Sequence, residues 1–119
     1  MQKVNLREKF AIFDEQWRPK IVGALNGQHV KLVKLKGEFI WHHHEAEDEM
    51  FLVVGGKLCL KLRDRDVWLE AGEFFIVPKG VDHKPVAVEE VHVMLFEPAS
   101  TLNTGDQRNE RTVEQLDWI

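Results

Sequence analysis

The chain has 119 residues, of which 44% are hydrophobic and 30% are charged, so we expect one packed domain over residues 1–119 and exclude a disordered or fibrous protein. Asp and Glu, 20 residues, outnumber Lys and Arg, 16 residues, and the net charge of -4 disfavours a nucleic-acid partner. A single cysteine, Cys59, cannot close an intramolecular disulfide, and the polar first ten residues contain no signal-peptide core. We therefore expect a cytoplasmic protein without a membrane partner.

The N-terminal third of the chain predicts a short helix followed by a hairpin. Asn5 is a candidate N-cap for a helix over residues 6–13, in which Leu6 and Phe10 lie on one face. The pair Asn26-Gly27 stands between two β-rich segments, which is a strong local cue for a β-hairpin.

Most of the remaining chain predicts short, evenly spaced strands, as in a sandwich or barrel. The predicted strands are EFIWHHH (38–44), EMFLVV (49–54), KLCLKLR (57–63), DVWLE (66–70), EFFIVP (73–78) and VHVMLF (91–96). Near the C-terminus, Val113, Leu116 and Ile119 follow helix-like intervals, so a second short helical segment is expected there.

The triplet His42-His43-His44 is the most informative feature of the sequence. In a strand, side chains alternate between faces, so His42 and His44 share one face and His43 points away. If residues 45–48 form a hairpin loop, Glu49 becomes the cross-strand neighbour of His44, with Cβ atoms about 5 Å apart. Imidazole nitrogens and a carboxylate oxygen are ligands for transition metals. The alternative is that these histidines are solvated on an exposed strand.

A second segment runs from Gly72 to His83. A strand is followed by a turn with Pro78 and Gly80, and His83 opens the next strand. Taken alone, a histidine in this position is most often a surface residue.

The two segments together resemble the motifs of the cupin superfamily. The first family motif is G-x5-H-x-H-x3,4-E-x6-G, and residues 37–56 match it from the first histidine onward as His42-x-His44-x4-Glu49-x6-Gly56. The second is G-x5-P-x-G-x2-H-x3-N, and residues 72–87 match it as Gly72-x5-Pro78-x-Gly80-x2-His83. Two positions depart from the motifs: Gly37 stands one residue too close to His42, and Ala87 occupies the final Asn position.

This resemblance implies an all-β fold, a small jelly-roll β-barrel, here with short helical segments at the termini. It also implies that four side chains bind one divalent metal ion, such as iron, zinc, manganese or nickel: His42, His44, Glu49 and His83. Four protein ligands on a six-coordinate ion leave about two positions for water or a substrate. Cupins are frequently homodimers, and small single-domain cupins similar to this chain are often labelled mannose-6-phosphate isomerase-like.

The candidate pocket wall depends on which strand faces turn inward. Phe51 shares the face of Glu49 and is expected in the pocket. In the last strand either face is a possible inner one, and if the histidine face is inner, three residues join the pocket: His92, Met94 and Phe96.

These features favour a metal-dependent enzyme in which the ion coordinates and activates a small oxygenated substrate, with dioxygenase- or isomerase-type chemistry. An alternative is a non-catalytic cupin module that binds a small ligand or a metal. A third hypothesis, a structural protein with a vacant site, would require the spacing of the ligands to be accidental.

Overall fold

A computed structural model describes all 119 residues and contains one short helix and seven strands. The elements are α1 (Leu6–Phe10), β1 (Lys20–Leu25), β2 (Gln28–Glu38), β3 (Glu49–Gly55), β4 (Lys57–Leu62), β5 (Asp66–Glu70), β6 (Phe74–Val77) and β7 (His83–Pro98). The strands pair in the order β1-β2-β7-β3-β6, while β4 pairs with β5 and β7. Every strand pair is antiparallel, and the all-β class predicted from the sequence is confirmed.

Strand β7 organises the fold because it has three partners along its 16 residues. Its first part pairs with β4, where His83 lies opposite Leu62, and its second part runs between β2 and β3. Residues 88–90 between these parts are exposed. The sheet rolls around a core of twelve buried hydrophobic residues, which includes Val53, Leu58 and Val91.

The middle of β2 is buried on both faces. Its outer face carries Leu32, which packs against Phe10 and Phe13 from the N-terminal segment. The Asn5 side chain accepts a hydrogen bond from the Glu8 backbone N–H at 3.0 Å, so the predicted cap is confirmed, although α1 ends at Phe10 and not at Phe13. The N-terminal segment therefore decides which face of β2 is the outer one.

Residues 39–44 differ from the sequence prediction because they do not form a regular strand. Strand β2 ends at Glu38, and only His42 makes an isolated antiparallel bridge, with His83. Residues 45–48 do form a loop, but the predicted cross-strand pair of His44 with Glu49 is absent, since Glu49 pairs with Val77 of β6. The hairpin prediction for this segment is therefore wrong in its register.

The C-terminal segment, residues 99–119, contains turns and no helix. The helix-like spacing of Val113, Leu116 and Ile119 is overridden by other hydrogen bonds. The Val113 backbone N–H donates to the Asn103 side chain at 2.9 Å, and the Ile119 N–H donates to the carbonyl of Ile21 in β1 at 3.0 Å. The segment consequently lies along the rest of the fold without regular secondary structure, and residues 99–119 are called the C-terminal strap below.

Two further expectations from the sequence are a homodimer and the absence of a membrane partner. Phe74 and Ile76 are exposed on the edge strand β6, and the homodimer stays a prediction. The five-residue α1 is the only helix, and no helix is long and apolar enough to cross a membrane.

Gly105 anchors the C-terminal strap against the histidine triplet. Its φ of 57° is left-handed, and a Cβ atom there would lie 2.2 Å from the carbonyl oxygen of His43. The next residue, Asp106, donates its backbone N–H to the same carbonyl at 2.9 Å. A side chain at position 105 would therefore push the strap away from the backbone of His43.

Gly105→Ala should destabilise the protein by about 3 kcal/mol, because a left-handed φ and a steric overlap act together. Gly27→Ala is the matched control: Gly27 also has a positive φ, 78°, but nothing lies within 4 Å of its added Cβ, so a loss of about 1 kcal/mol is expected. Urea unfolding of both variants measures the difference. Equal losses would show that the contact with His43 costs nothing.

Candidate metal centre

Three separate parts of the chain bring the four predicted ligands together. His42 and His83 face each other through two backbone hydrogen bonds, His42 N–H to His83 carbonyl at 3.1 Å and His83 N–H to His42 carbonyl at 2.9 Å. The carbonyl of His44 accepts from the Gly80 N–H at 2.8 Å, and Glu49 is the first residue of β3. Backbone bonds therefore fix both histidine segments beside the start of β3.

The four side chains form one buried cluster. His42, His44 and Glu49 have relative exposures of 3 to 4%, and His83 is fully buried. One potential ligand atom from each residue lies within 4.8 Å of all the others. The Nε2 atoms of His44 and His83 are each 3.3 Å from Oε1 of Glu49.

The unsatisfied atoms of the cluster fit a metal ion. Nε2 of His44, Nε2 of His83 and Oε1 of Glu49 are buried and have no hydrogen-bond partner. Orphaned polar atoms are costly in a folded interior, and a cation that accepts all three lone pairs removes the cost. Three imidazoles and a carboxylate are a donor set for a divalent transition metal.

Backbone carbonyls orient two of the imidazoles. Nδ1 of His42 lies 2.9 Å from the carbonyl of Ile40, and Nδ1 of His83 lies 2.9 Å from the carbonyl of Val81. A carbonyl only accepts, so each Nδ1 carries a proton, and the neutral form of either ring presents the Nε2 lone pair to the cluster.

The protonation states also suit metal binding. Burial, reinforced by the nearby His83, lowers the pKa of His42 from 6.5 to about 4, so its imidazole is neutral at pH 7. Burial raises the pKa of Glu49, but the nearby side chains of Glu97, His44 and His83 outweigh burial and hold that pKa well below its ordinary value. A neutral imidazole and an ionised carboxylate are the forms that bind metals.

His43 points away from the cluster, as the alternation of side chains along an extended segment predicted. Its ring nitrogens contact the carboxylates of Glu45 and Asp82, and Asp106 of the strap lies 3.5 Å away. The hydrogen bond to Glu45 is the main cause that raises the pKa of His43. His43 therefore ties surface loops together beside the site.

A cavity of about 470 Å³, including its open mouth, adjoins the cluster. His42 and Glu49 lie in its wall, together with Phe51, so the structure places this predicted pocket residue beside the candidate ligands. The wall is mostly apolar, with contributions from β2, the residue that follows it, β7 and the C-terminal strap: Val33, Leu35, Phe39, Leu95 and Leu116.

His92, Met94 and Phe96 do not line this cavity. They lie on the opposite face of β7 from the buried residues Val91 and Val93, and the ring of His92 stacks on Phe10 with centroids 4.4 Å apart. The assignment of these three residues to the pocket is therefore corrected. Both faces of the strand are apolar in sequence, and α1 covers the outer one.

Sequence reasoning missed three polar residues of the cavity, Lys31, Glu97 and Asn103. Glu97 follows Val91, Val93 and Leu95 on the inner face of β7, and Lys31 shares a face of β2 with Val33 and Leu35. Alternation along each strand is the signal that links them to the core. A charged residue at a strand end is usually solvated, however, and only the pairing of β2 with β7 brings these two together.

His44→Ala should abolish metal binding while the fold survives, because the apolar core does not include this imidazole. We expect roughly one equivalent of metal in the wild type and a loss of more than about tenfold in metal affinity in the variant. Elemental analysis of protein purified without a chelating resin measures the content, and circular dichroism checks the fold. His43→Ala is the control, with unchanged metal content. Loss of folding in His44→Ala with metal still bound would contradict the assignment.

Metal-free protein should lose stability as the pH falls from 6.5 to 4. In this window the unfolded chain binds a proton at His42, whereas the folded protein resists protonation because of its lowered pKa. The stabilisation is thus fully present above pH 6.5, and this residue alone accounts for a loss of about 3 kcal/mol by pH 4. Urea unfolding at pH 7, 6, 5 and 4 tests this, with His42→Gln expected to show a shallower decline. Parallel curves for the two proteins would refute the role of His42.

Three comparisons relate this chain to known proteins. Uncharacterized protein YdbB of Bacillus subtilis (strain 168) is 32% identical over 81 residues, which are 67% of this chain and 66% of that protein. The 3-hydroxyanthranilate 3,4-dioxygenase of Xenopus laevis is 32% identical over 101 residues, 79% of this chain but only 36% of the dioxygenase. The chain therefore spans less than two thirds of either curated relative.

A solved structure and a family model agree on the fold. The crystal structure of a cupin-2 domain containing protein from Shewanella frigidimarina matches with a TM-score of 0.79 and 44% identity, covering 80% of this chain and 93% of that one. This match confirms the jelly-roll class, although the sheet is not closed here. Residues 29–97 match the Cupin_2 family, described as a cupin domain. That match spans more than half of the chain, which therefore belongs to the cupin superfamily.

Proposed function

We propose that this protein binds one divalent transition metal ion through His42, His44, Glu49 and His83 and uses it to coordinate and activate a small oxygenated substrate. One observation carries the proposal: buried ligand atoms without hydrogen-bond partners converge at the wall of an apolar cavity. A structural metal site would be closed, whereas this one adjoins a space that a small molecule can enter.

The residues around the site suit substrate chemistry. The three histidines and Glu49 would hold the ion, and when bound it would supply Lewis-acid or, as iron, dioxygen chemistry. Phe51 and Leu95 give the cavity an apolar wall next to Glu49. The stacked rings of Trp17 and Phe39, 4.9 Å apart, form a further part of its wall.

Dioxygenase-type chemistry receives more support than isomerase-type chemistry. The Xenopus relative is a 3-hydroxyanthranilate 3,4-dioxygenase, and an apolar cavity suits a substrate with a flat, apolar body. Isomerase chemistry of the mannose-6-phosphate type would require a pocket that binds a sugar phosphate. Lys31 is the one Lys or Arg residue that lines the cavity, and most other lining residues are apolar.

A non-catalytic cupin module is the alternative function. The same donor atoms and the same cavity would hold a metal and a small ligand without turnover. The two functions differ in whether a reaction follows binding, so a reaction assay separates them.

The protein is first loaded with Fe(II) under anaerobic conditions and is then exposed to oxygen. It should consume oxygen in the presence of at least one compound from a panel of catechols, β-diketones and thiols. An oxygen electrode measures the uptake, and product analysis checks that oxygen enters the organic compound. His44→Ala is expected to reduce uptake at least about a hundredfold because it removes a metal ligand.

His43→Ala is the matched control, and it should retain oxygen uptake because His43 lies outside the ligand cluster. Binding of panel compounds to the iron-loaded protein without oxygen uptake would contradict the dioxygenase assignment and favour the non-catalytic module.

A further inference from the structure

Lys31 and Glu97 form a buried, hydrogen-bonded pair in the wall of the cavity, where burial and the charge of the nearby Glu49 raise the pKa of Glu97 well above its ordinary value. Lys31 Nζ lies 2.8 Å from Glu97 Oε1, and the side chains are 2% and 3% exposed. Their strands place them side by side, since Lys31 of β2 pairs with Leu95 of β7 and Glu97 is two residues further on. Both residues also line the cavity that contains His42 and Glu49.

The pair is not saturated by hydrogen bonds. The Lys31 ammonium has three donors, but its one hydrogen bond goes to Glu97. Oε2 of Glu97 is buried and has no partner. A buried ion pair rarely adds net stability, and incomplete hydrogen bonding makes it costlier still. Packing alone therefore gives no reason for these two residues in an apolar wall.

Lys34, on the same strand as Lys31, has a structural role. It is also buried, but its side chain lies on the outer face of β2, where Nζ donates to the carbonyl of Phe13 and lies 4.9 Å from the centroid of the Phe13 ring. Lys34 holds the N-terminal segment on the sheet. Lys31 contacts no such segment and faces the cavity.

The pair lies next to the candidate metal centre. Glu49 and Glu97 occupy adjacent strands, one residue beyond the paired positions Met50 and Phe96. Even if both carboxyls are counted as anions, a divalent ion and Lys31 together leave one surplus positive charge in the cavity. A surplus charge between apolar walls favours an anionic ligand over a neutral one of the same shape.

We infer that Lys31 and Glu97 form the polar end of the substrate pocket and select a small anion with an apolar body and an adjacent hydroxyl group. An anionic oxygen of the ligand accepts from the free donors of Lys31, and the hydroxyl donates to Oε2 of Glu97 or binds the metal. This inference rests on the proposed function, because it assigns the specificity of the same cavity.

The probes are 2-hydroxybenzoate and 2-hydroxybenzamide, which share a shape and a hydroxyl group but differ in charge. Protein loaded with Co(II) is titrated with each compound by calorimetry, and the cobalt absorption spectrum reports ligand binding at the metal. The wild type should bind the benzoate at least about tenfold more tightly than the benzamide, as expected for a charge-assisted hydrogen bond in a dry site.

Lys31→Met should abolish this preference, bringing the affinity ratio close to one, while the cobalt content stays at the wild-type level. Because this change leaves Glu97 without a partner, the double variant Lys31→Met/Glu97→Gln is measured beside it and should give the same ratio. Lys34→Met is the matched control and should keep the tenfold preference. Glu97→Gln should keep it too, since Lys31 remains.

Each other outcome overturns a defined part of the account. A cobalt-loaded wild type that binds neither probe, or prefers the benzamide, overturns the inference while leaving metal binding intact. An unchanged preference in Lys31→Met and in the double variant overturns the role of Lys31. A wild type that takes up no cobalt, iron, zinc, manganese or nickel refutes the proposed function, and the inference fails with it.

Discussion

The backbone bridge between His42 and His83 is the constraint on which the candidate site depends. Two hydrogen bonds, 3.1 and 2.9 Å long, join these residues outside any regular strand pairing of the 39–44 segment. They hold two imidazoles, from positions 41 residues apart, at a ring-centroid distance of 4.3 Å. The hydrogen bond from the Gly80 N–H to the His44 carbonyl, 2.8 Å long, continues the attachment, so the same segment also holds His44 near Glu49.

The site is costly for the fold, and the rest of the sheet compensates. Nitrogens without hydrogen-bond partners are buried at His44 and His83, where they lose hydration without gaining a hydrogen bond. The adjacent core of twelve apolar residues provides the stabilisation that permits this. A metal ion bound at this centre would therefore be linked to folding, because it would stabilise the folded state alone.

The sequence predicted the candidate ligands better than the elements that carry them. Alternation grouped His42 with His44, an expected hairpin added Glu49, and only the resemblance to the cupin motifs added His83. Residues 39–44 nevertheless form no regular strand, and the expected pair of His44 with Glu49 is replaced by pairing of Glu49 with Val77. His42 and His44 still point to the same side, because an extended segment alternates its side chains whether or not it is hydrogen-bonded in a sheet. Register, by contrast, depends on partners distant in sequence.

The inner face of β7 could not be predicted from β7 itself. Val91, Val93 and Leu95 alternate with His92, Met94 and Phe96, and both sets are apolar enough to face a core. The N-terminal segment settles the choice, since Phe10 covers His92 and leaves the other face for the barrel interior.

The same choice of faces determines the electrostatics of the cavity. Once Val91 and Leu95 point inward, Glu97 must do so as well, because it follows them with the same alternation. Likewise, Lys31 points inward because Leu32 packs outward against Phe10. The buried pair of Lys31 and Glu97 beside the candidate ligands thus lies on the face of the sheet opposite the five-residue N-terminal helix. Substitutions in that helix would therefore alter the pocket without touching it.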